Sequence, residues 1–375
     1  MTTAIRYAYV HVPFCRHRCG YCDFTLVAGR DDLIDRYLMA LEQELTRVVQ
    51  PLSIDTLYLG GGTPSHLGPD GLRQLFALLT RRLQPAAGAE VTIEANPLDV
   101  TPAFVAAVSD CGVTRVSLGA QSLAADTLAN LDRDHCPADV RRATERLLTQ
   151  GFTVSVDLMT AAPGQNLAAV ERDLEAITAL GSQHVSVYCL TWEQGTAFAS
   201  QRRRGLLQPV PEETERAMFE LAIDRLSEAE FEHYEVSNFA RPSGRCRHNE
   251  AYWDCQPWEA FGPGAARFDG RTRTTNHRST TTWMNRLLAG EDATGEVDSM
   301  TPEEAARERL VVGLRRRAGV SRDRFAAASG FSIEQLAGEP VAGWVAAGLA
   351  EDDGQTLRLT RAGLLVSDSL WAAVL

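Results

Sequence analysis

Short apolar runs alternate with amphipathic segments through the first half of the chain. Residues 7–12, 56–59, 91–94, 115–118, 153–158 and 184–188 form such runs and read as strands. Between them apolar positions recur three and four apart. Leu33, Tyr37, Leu38, Leu41, Leu45 and Val48 predict one buried helix face, with Asp31 or Asp32 capping its start. Six strands in a repeating βα series predict an α/β protein with a parallel sheet and helical crossovers, arranged as a partial (β/α)6 barrel of TIM type. A helix over 212–228 and a strand over 233–237 follow. Residues 241–280, rich in Gly, Pro, Trp and Arg and without a period, read as a structured loop region. Past a change of composition near 297–302, helices at 301–317 and beyond, an Asp353-Gly354 turn, a strand over 357–360 and a helix over 361–373 predict a small winged-helix-like module. The expected domains are 1–240, 241–296 and 297–375.

Composition narrows the picture. A chain of 375 residues that is 45% hydrophobic can bury an ordinary core, and no apolar run approaches the roughly 20 residues that cross a bilayer. The opening residues lack the charged-then-apolar pattern of a secretory signal, so a cytoplasmic location is expected. Eight cysteines in a reducing compartment point to metal binding before disulfides. The net charge of −12, with arginine supplying every basic side chain other than histidine, argues against nucleic acid as a partner. The basic runs at 202–204 and 315–317 read as solvated helix faces, held in reserve for a carboxylate-bearing ligand or a partner.

The chemistry is concentrated at the ends of the expected strands. Cys15, Cys19 and Cys22 have the spacing C-x3-C-x2-C, enough to hold three corners of an iron–sulfur cube and leave the fourth iron open to a ligand. A zinc site of three cysteines completed by His11 or His17 is the alternative. Gly60, Gly61 and Gly62, followed by Thr63 and Pro64, clear side chains from a loop just after the second strand, so that its backbone can approach a ligand. Glu94, Gln121 and Asp157 interrupt or end later strands, and Arg133 offers a planar fork suited to a carboxylate. In βα barrels, strand ends of this kind form the ligand mouth.

These motifs occur in an order that resembles one family. Tyr9-Val-His-Val-Pro-Phe-Cys, Cys22-Asp-Phe, Gly-Gly-Gly-Thr-Pro, Ile-Glu-Ala-Asn-Pro and Arg115-Val-Ser-Leu-Gly-Ala-Gln-Ser are joined by Pro163-Gly-Gln, Tyr234-Glu-Val-Ser-Asn-Phe, His248-Asn-Glu-Ala-Tyr-Trp and Phe261-Gly-Pro-Gly. Together they resemble the radical S-adenosylmethionine (SAM) group that holds oxygen-independent coproporphyrinogen III oxidase and the haem chaperone HemW. The resemblance implies that Cys15, Cys19 and Cys22 bind a [4Fe–4S] cluster. It implies that Tyr9, Gly61, Gly62, Thr63, Glu94, Gln121, Arg133 and Asp157 contact SAM, with Tyr21 an aromatic neighbour of the cofactor. Ala161-Ala162, where the family often has Gly-Leu, touches none of these positions.

Within the group the oxidases carry a fourth cysteine two residues after the third, where this chain has Phe24, and a longer segment ahead of the cluster than the fourteen residues found here. Both features resemble the chaperone branch. That branch implies bound haem, haem-accepting apoproteins, a reductant such as a flavodoxin or ferredoxin, and a homodimer. His248 is then the expected haem ligand, with Cys246 an alternative and His233 and His277 weaker ones. Oxidative decarboxylation of coproporphyrinogen III is the rival expectation, and SAM cleavage on another tetrapyrrole a third.

Overall fold

The computed structural model describes residues 4–375, so the first three residues assigned to the amino-terminal domain lie outside the described residues. All six expected parallel strands form: β1 (Tyr7–Val12), β2 (Leu52–Gly61), β3 (Leu83–Ala95), β4 (Arg115–Gln121), β5 (Thr153–Thr160) and β6 (His184–Cys189). Two short strands, β7 (Glu232–Glu235) and β8 (Asn238–Ala240), and β9 (Glu259–Phe261) complete a nine-stranded sheet in the order β9-β1-β2-β3-β4-β5-β6-β8-β7. Helices cross over between successive parallel strands, so β1 to β6 form an open, barrel-like α/β arrangement.

Each parallel strand alternates with a period of two. Its outward side chains, such as Val10, Leu57, Ile93, Val116, Val156 and Val187, are fully or almost fully buried in the main core. Its inward side chains are polar: Tyr58, Glu94, Arg115, Ser117, Asp157 and His184 surround a small cavity inside the curved sheet. The apolar half of each strand therefore packs on the helices, and the polar half builds the interior.

The helix Ile34–Leu45 buries Tyr37, Leu38, Leu41 and Leu45 as its spacing predicts, contributing about 1.5–3 kcal/mol for each large side chain removed from water. Neither Asp31 nor Asp32 caps it through a side chain. Both lie in a preceding 3-10 turn, where Asp32 is held by Arg30 at 2.8 Å.

Two expectations are corrected in the middle of the chain. The strand expected over 233–237 forms but stops at Glu235, because Val236 and Ser237 reverse direction and β8 returns antiparallel to β7. The Glu235 carboxylate accepts from the Ser237 N–H at 3.3 Å across that bend. The region read as loop holds the helix Arg247–Trp253 and three strands, one of which, β9, pairs parallel with β1 through Ala8 and Glu259. Strands of three to five residues are too short to show a clear period. The expected middle domain, 241–296, supplies Phe261, Trp283, Met284 and Ala293 to the main core.

Residues past 300 bury a separate core that includes Leu310, Leu314, Phe325, Trp344, Leu357 and Trp371. Its first helix, Pro302–Leu314, starts with a capping box between Thr301 and Glu304 and ends three residues before the expected limit of 317. The last helix, expected over 361–373, breaks at Val366 into Arg361–Leu365 and Ser367–Trp371. The arginines at 315–317 are used within the fold: Arg315 pairs with Asp368, Arg316 with Asp254, and Arg317 donates to the Leu359 carbonyl at 3.1 Å. No helix among the described residues is long and apolar enough to cross a membrane.

Candidate functional site

The ends of β1 to β6 open into a cavity of about 410 Å³. Cys15, Cys19, Cys22, Tyr21, Gly61, Gly62, Thr63, Glu94, Gln121, Arg133 and Asp157 all line it, although they come from six separate stretches of chain. Tyr9 and His248 do not line it.

The cysteine loop is held from both sides. Arg18 donates to the carbonyls of Cys22 and Leu26 at 3.0 and 2.9 Å, closing the loop on itself. Gly20 packs so closely that an added Cβ would lie 2.3 Å from the Phe198 ring, and its carbonyl accepts the Phe198 N–H at 2.8 Å. Cys15 and Cys19 are buried, Cys22 is half-buried, and all eight cysteines are free thiols. Thr63 Oγ1 lies 3.2 Å from Cys15 Sγ, and Arg133 Nη1 reaches Cys19 Sγ at 3.6 Å. Burial pushes the Cys15 thiol up to about 11. A bound cation, as a metal centre provides, favours the thiolate there.

Among the described residues no three His, Cys, Asp or Glu side chains gather closely enough to hold a single metal ion. The zinc alternative would need such a convergence. His11 is also committed elsewhere, its Nδ1 3.0 Å from Tyr9 OH and its Nε2 2.6 Å from the Thr25 carbonyl. His17 Nε2 lies 2.7 Å from the Asp132 carbonyl and 3.6 Å from Cys19 Sγ. An iron–sulfur cube needs no such convergence, because each thiolate binds a different iron.

The glycine loop lies against this site. Gly61 has φ +109°, and a Cβ on it would lie 2.4 Å from the His11 ring. A Cβ on Gly62 would lie 2.8–2.9 Å from backbone atoms of Val12, Pro13 and Phe14. Only glycines allow this approach between the loop and β1. Glu94 takes a hydrogen bond from Tyr58 OH at 2.8 Å and from the Gly61 N–H at 3.1 Å. Burial, with Asp157 nearby, pushes its carboxyl up to about 7. Asp157, which accepts from Ser117 Oγ at 3.2 Å, is pushed by burial up to about 6. Gln121 has φ +66°, a left-handed backbone unusual for a non-glycine residue, and it turns the end of β4 toward the cavity.

Arg133 joins the two halves of the site. Its Nη2 donates to the Gly119 carbonyl at 2.8 Å while Nη1 faces Cys19, and its buried Nε has no partner among the described residues. An orphaned guanidinium N–H beside a glycine-lined cavity fits a ligand that brings an acceptor. Tyr21 packs edge-on against Phe198. Tyr9 lies beneath this layer, stacked on Tyr58 at 6.2 Å.

Several cavity residues were missed in the sequence: Ser117, Met159, Tyr188 and Cys189 also line it. Ser117 and Met159 stand four and two positions from Gln121 and Asp157, so the strand period of two would have found them. Arg18 carries no sequence signal, since its partners are carbonyls.

His248 is placed differently from the expectation. It sits in the floor at the opposite end of the strands, with Nδ1 2.7 Å from Thr56 Oγ1, Nε2 2.9 Å from Tyr252 OH, and its ring stacked on Tyr58. Burial lowers it to about 3, so it is neutral, and both nitrogens are occupied. In this arrangement it does not fit a haem ligand. Cys246 is also buried, with its Sγ 3.6 Å from Glu90. His233 is stacked on Phe239 at 4.3 Å, and His277 Nδ1 accepts from the Ser279 N–H.

Comparison with known proteins agrees with this geometry. Residues 9–177 match the model of the radical SAM superfamily and residues 300–366 that of the HemN C-terminal domain. The heme chaperone HemW of Bacillus subtilis is 33% identical over 98% of this chain and 98% of its own length. That of Mycobacterium tuberculosis H37Rv is 38% identical over 96% of this chain and 93% of its own. The coproporphyrinogen III oxidase HemN of Escherichia coli superposes with a TM-score of 0.87 over 99% of this chain and 90% of its own, a likeness of fold at 20% identity. The superfamily implies a [4Fe–4S] cluster and SAM as cofactors, and the cysteine loop, glycine cradle and orphaned Arg133 N–H fit both. With a third or more of its residues identical across nearly the full length of these relatives, the chain belongs to the HemW family of radical SAM proteins.

Proposed function

We propose that this chain is a haem chaperone of the radical SAM type, one that binds haem and passes it to haem-accepting apoproteins in the cytoplasm. The observation that carries the reading is near full-length similarity to HemW chaperones, joined to a cavity that gathers the cysteine triplet with the glycine loop, Glu94, Arg133 and Asp157. In this reading Cys15, Cys19 and Cys22 hold the cluster, while Tyr21 and Phe198 shield one side of it. The Gly61 and Gly62 backbone and Thr63 take the methionyl end of SAM, with Arg133 fork-on to its carboxylate. Gln121 and Asp157 hold the rest of the ligand, and Tyr9 supports Tyr58 beneath Glu94. When bound, the cluster supplies one-electron reducing power and SAM a cleavable sulfonium. A cationic ligand beside Glu94 favours the ionised carboxylate, so its binding displaces the proton that burial holds there. A flavodoxin or ferredoxin serves as reductant, and the working form is a homodimer.

Phe24 supports the chaperone over the oxidase: it stands at the cavity wall, 61% exposed, where the oxidase pattern has a cysteine. The test uses anaerobically reconstituted protein. It is incubated in parallel with haem, and with coproporphyrinogen III plus SAM and reductant. Stoichiometric haem binding with a Soret shift, transfer to an apoprotein and no protoporphyrinogen are expected. Turnover to protoporphyrinogen would overturn the reading.

A further inference from the structure

A second cavity, of about 510 Å³, opens at the end of the strands away from the cysteines. Four arginines line it: Arg115, Arg241, Arg245 and Arg247. Three carboxylates line it as well, two paired with one arginine and the third held by backbone N–H groups. Glu232 and Glu250 both pair with Arg245, and Glu90 accepts the N–H groups of Arg247 and His248, each at 3.1 Å. Arg115, Arg241 and Arg247 have no ion-pair partner among the described residues. Each is fastened by one neutral contact: Arg115 Nη1 to the Gly244 carbonyl at 2.8 Å, Arg247 Nη1 to the Gly88 carbonyl at 2.7 Å, and Arg241 over the Phe231 ring at 4.5 Å.

Arg115 is the decisive one. It is only 3% exposed, it faces both this cavity and the polar interior, and its buried Nη2 has no hydrogen-bond partner among the described residues. Arg241 Nε is buried and unpartnered too. A buried guanidinium without an acceptor is costly, and it is resolved by an anion that brings several oxygens. Four guanidinium groups against three carboxylates leave the lining net positive, and the free N–H groups of Arg115 and Arg241 suit an anion that offers several oxygens in more than one direction. The volume exceeds a bare anion and leaves room for an organic group behind it.

We propose that this pocket binds a phosphoryl group, either free phosphate or the head of a phosphate monoester. The site is separate from the cluster cavity but joined to it electrically, because Arg115 shares the interior cavity of about 50 Å³ with Asp157 and Glu94.

The test is calorimetric titration of the full-length protein with inorganic phosphate, with ribose 5-phosphate and with citrate, at constant ionic strength. Arg241→Gln and Arg247→Gln are the main variants, since both side chains are partly or fully open to solvent and leave the core intact; Arg115→Met risks misfolding and is secondary. Saturable binding of one phosphoryl ligand per chain is expected, weakened at least tenfold in each main variant, with a ligand-dependent rise in unfolding temperature that the variants lose. Tighter binding of the ester assigns the source to a metabolite, and equal binding to free phosphate. No saturable binding, tighter binding of citrate, or affinity indifferent to both substitutions would overturn the proposal.

Discussion

Replacing Glu94 by Gln tests whether the polar interior is held at the expense of stability. The wild-type carboxyl titrates near 7 in the folded protein, against 4.5 for the free side chain, because burial disfavours its charge. A raised carboxyl pKa means that the folded state holds the proton more tightly than the unfolded chain does. Stability from this group is therefore greatest below pH 4.5 and falls as pH rises, until the carboxyl has ionised above 7. The slope in that window is about 1.4 kcal/mol per pH unit, so the full difference is about 3 kcal/mol. Gln does not titrate, but it meets the donors Tyr58 OH and Gly61 N–H with one acceptor in place of two, which costs about 1–2 kcal/mol at every pH. The variant should be less stable than wild type at pH 5 and equal or more stable at pH 8. Urea unfolding of the cluster-free proteins at half-unit steps of pH measures the difference. Parallel profiles, with a difference constant to about 0.5 kcal/mol from pH 5 to 8, would refute the claim that Glu94 carries this burial cost.

Four further outcomes are expected. SAM affinity should fall about tenfold between pH 8 and 6, because a proton on Glu94 then competes with the cation; equilibrium dialysis measures it. Cys19→Ala should abolish retention of iron and sulfide after anaerobic reconstitution while leaving the apo-protein folded, read by metal analysis and circular dichroism. Gly62→Ala should destabilise by about 1–3 kcal/mol, because its Cβ meets backbone that cannot give way, whereas Gly343→Ala, with nothing within 4 Å, should be neutral or slightly stabilising in the same thermal assay. His248→Ala should cost about 2–4 kcal/mol in urea, since it leaves the hydroxyls of Thr56 and Tyr252 short of a partner and opens a void in the floor.

The sequence alone determined what local spacing can encode. Three cysteines within eight residues, three consecutive glycines after a strand, and apolar runs at regular intervals are short-range features, and a βα series leaves few topologies open. The cysteine cavity, the six parallel strands and the resemblance to one family were legible for that reason. Tertiary structure decided what depends on partners far along the chain. His248 has the look of a ligand in its motif, yet Thr56, 192 residues away, and Tyr252 occupy both its nitrogens. Arg115 reads as the start of a strand until Gly244, 129 residues later, fixes one of its nitrogens and leaves another without a partner. The short strand β9 has no period to betray it and exists because β1 offers it an edge. A side chain's chemistry is written in its type. Whether its polar atoms are free to act is set by which distant groups folding brings within hydrogen-bonding distance.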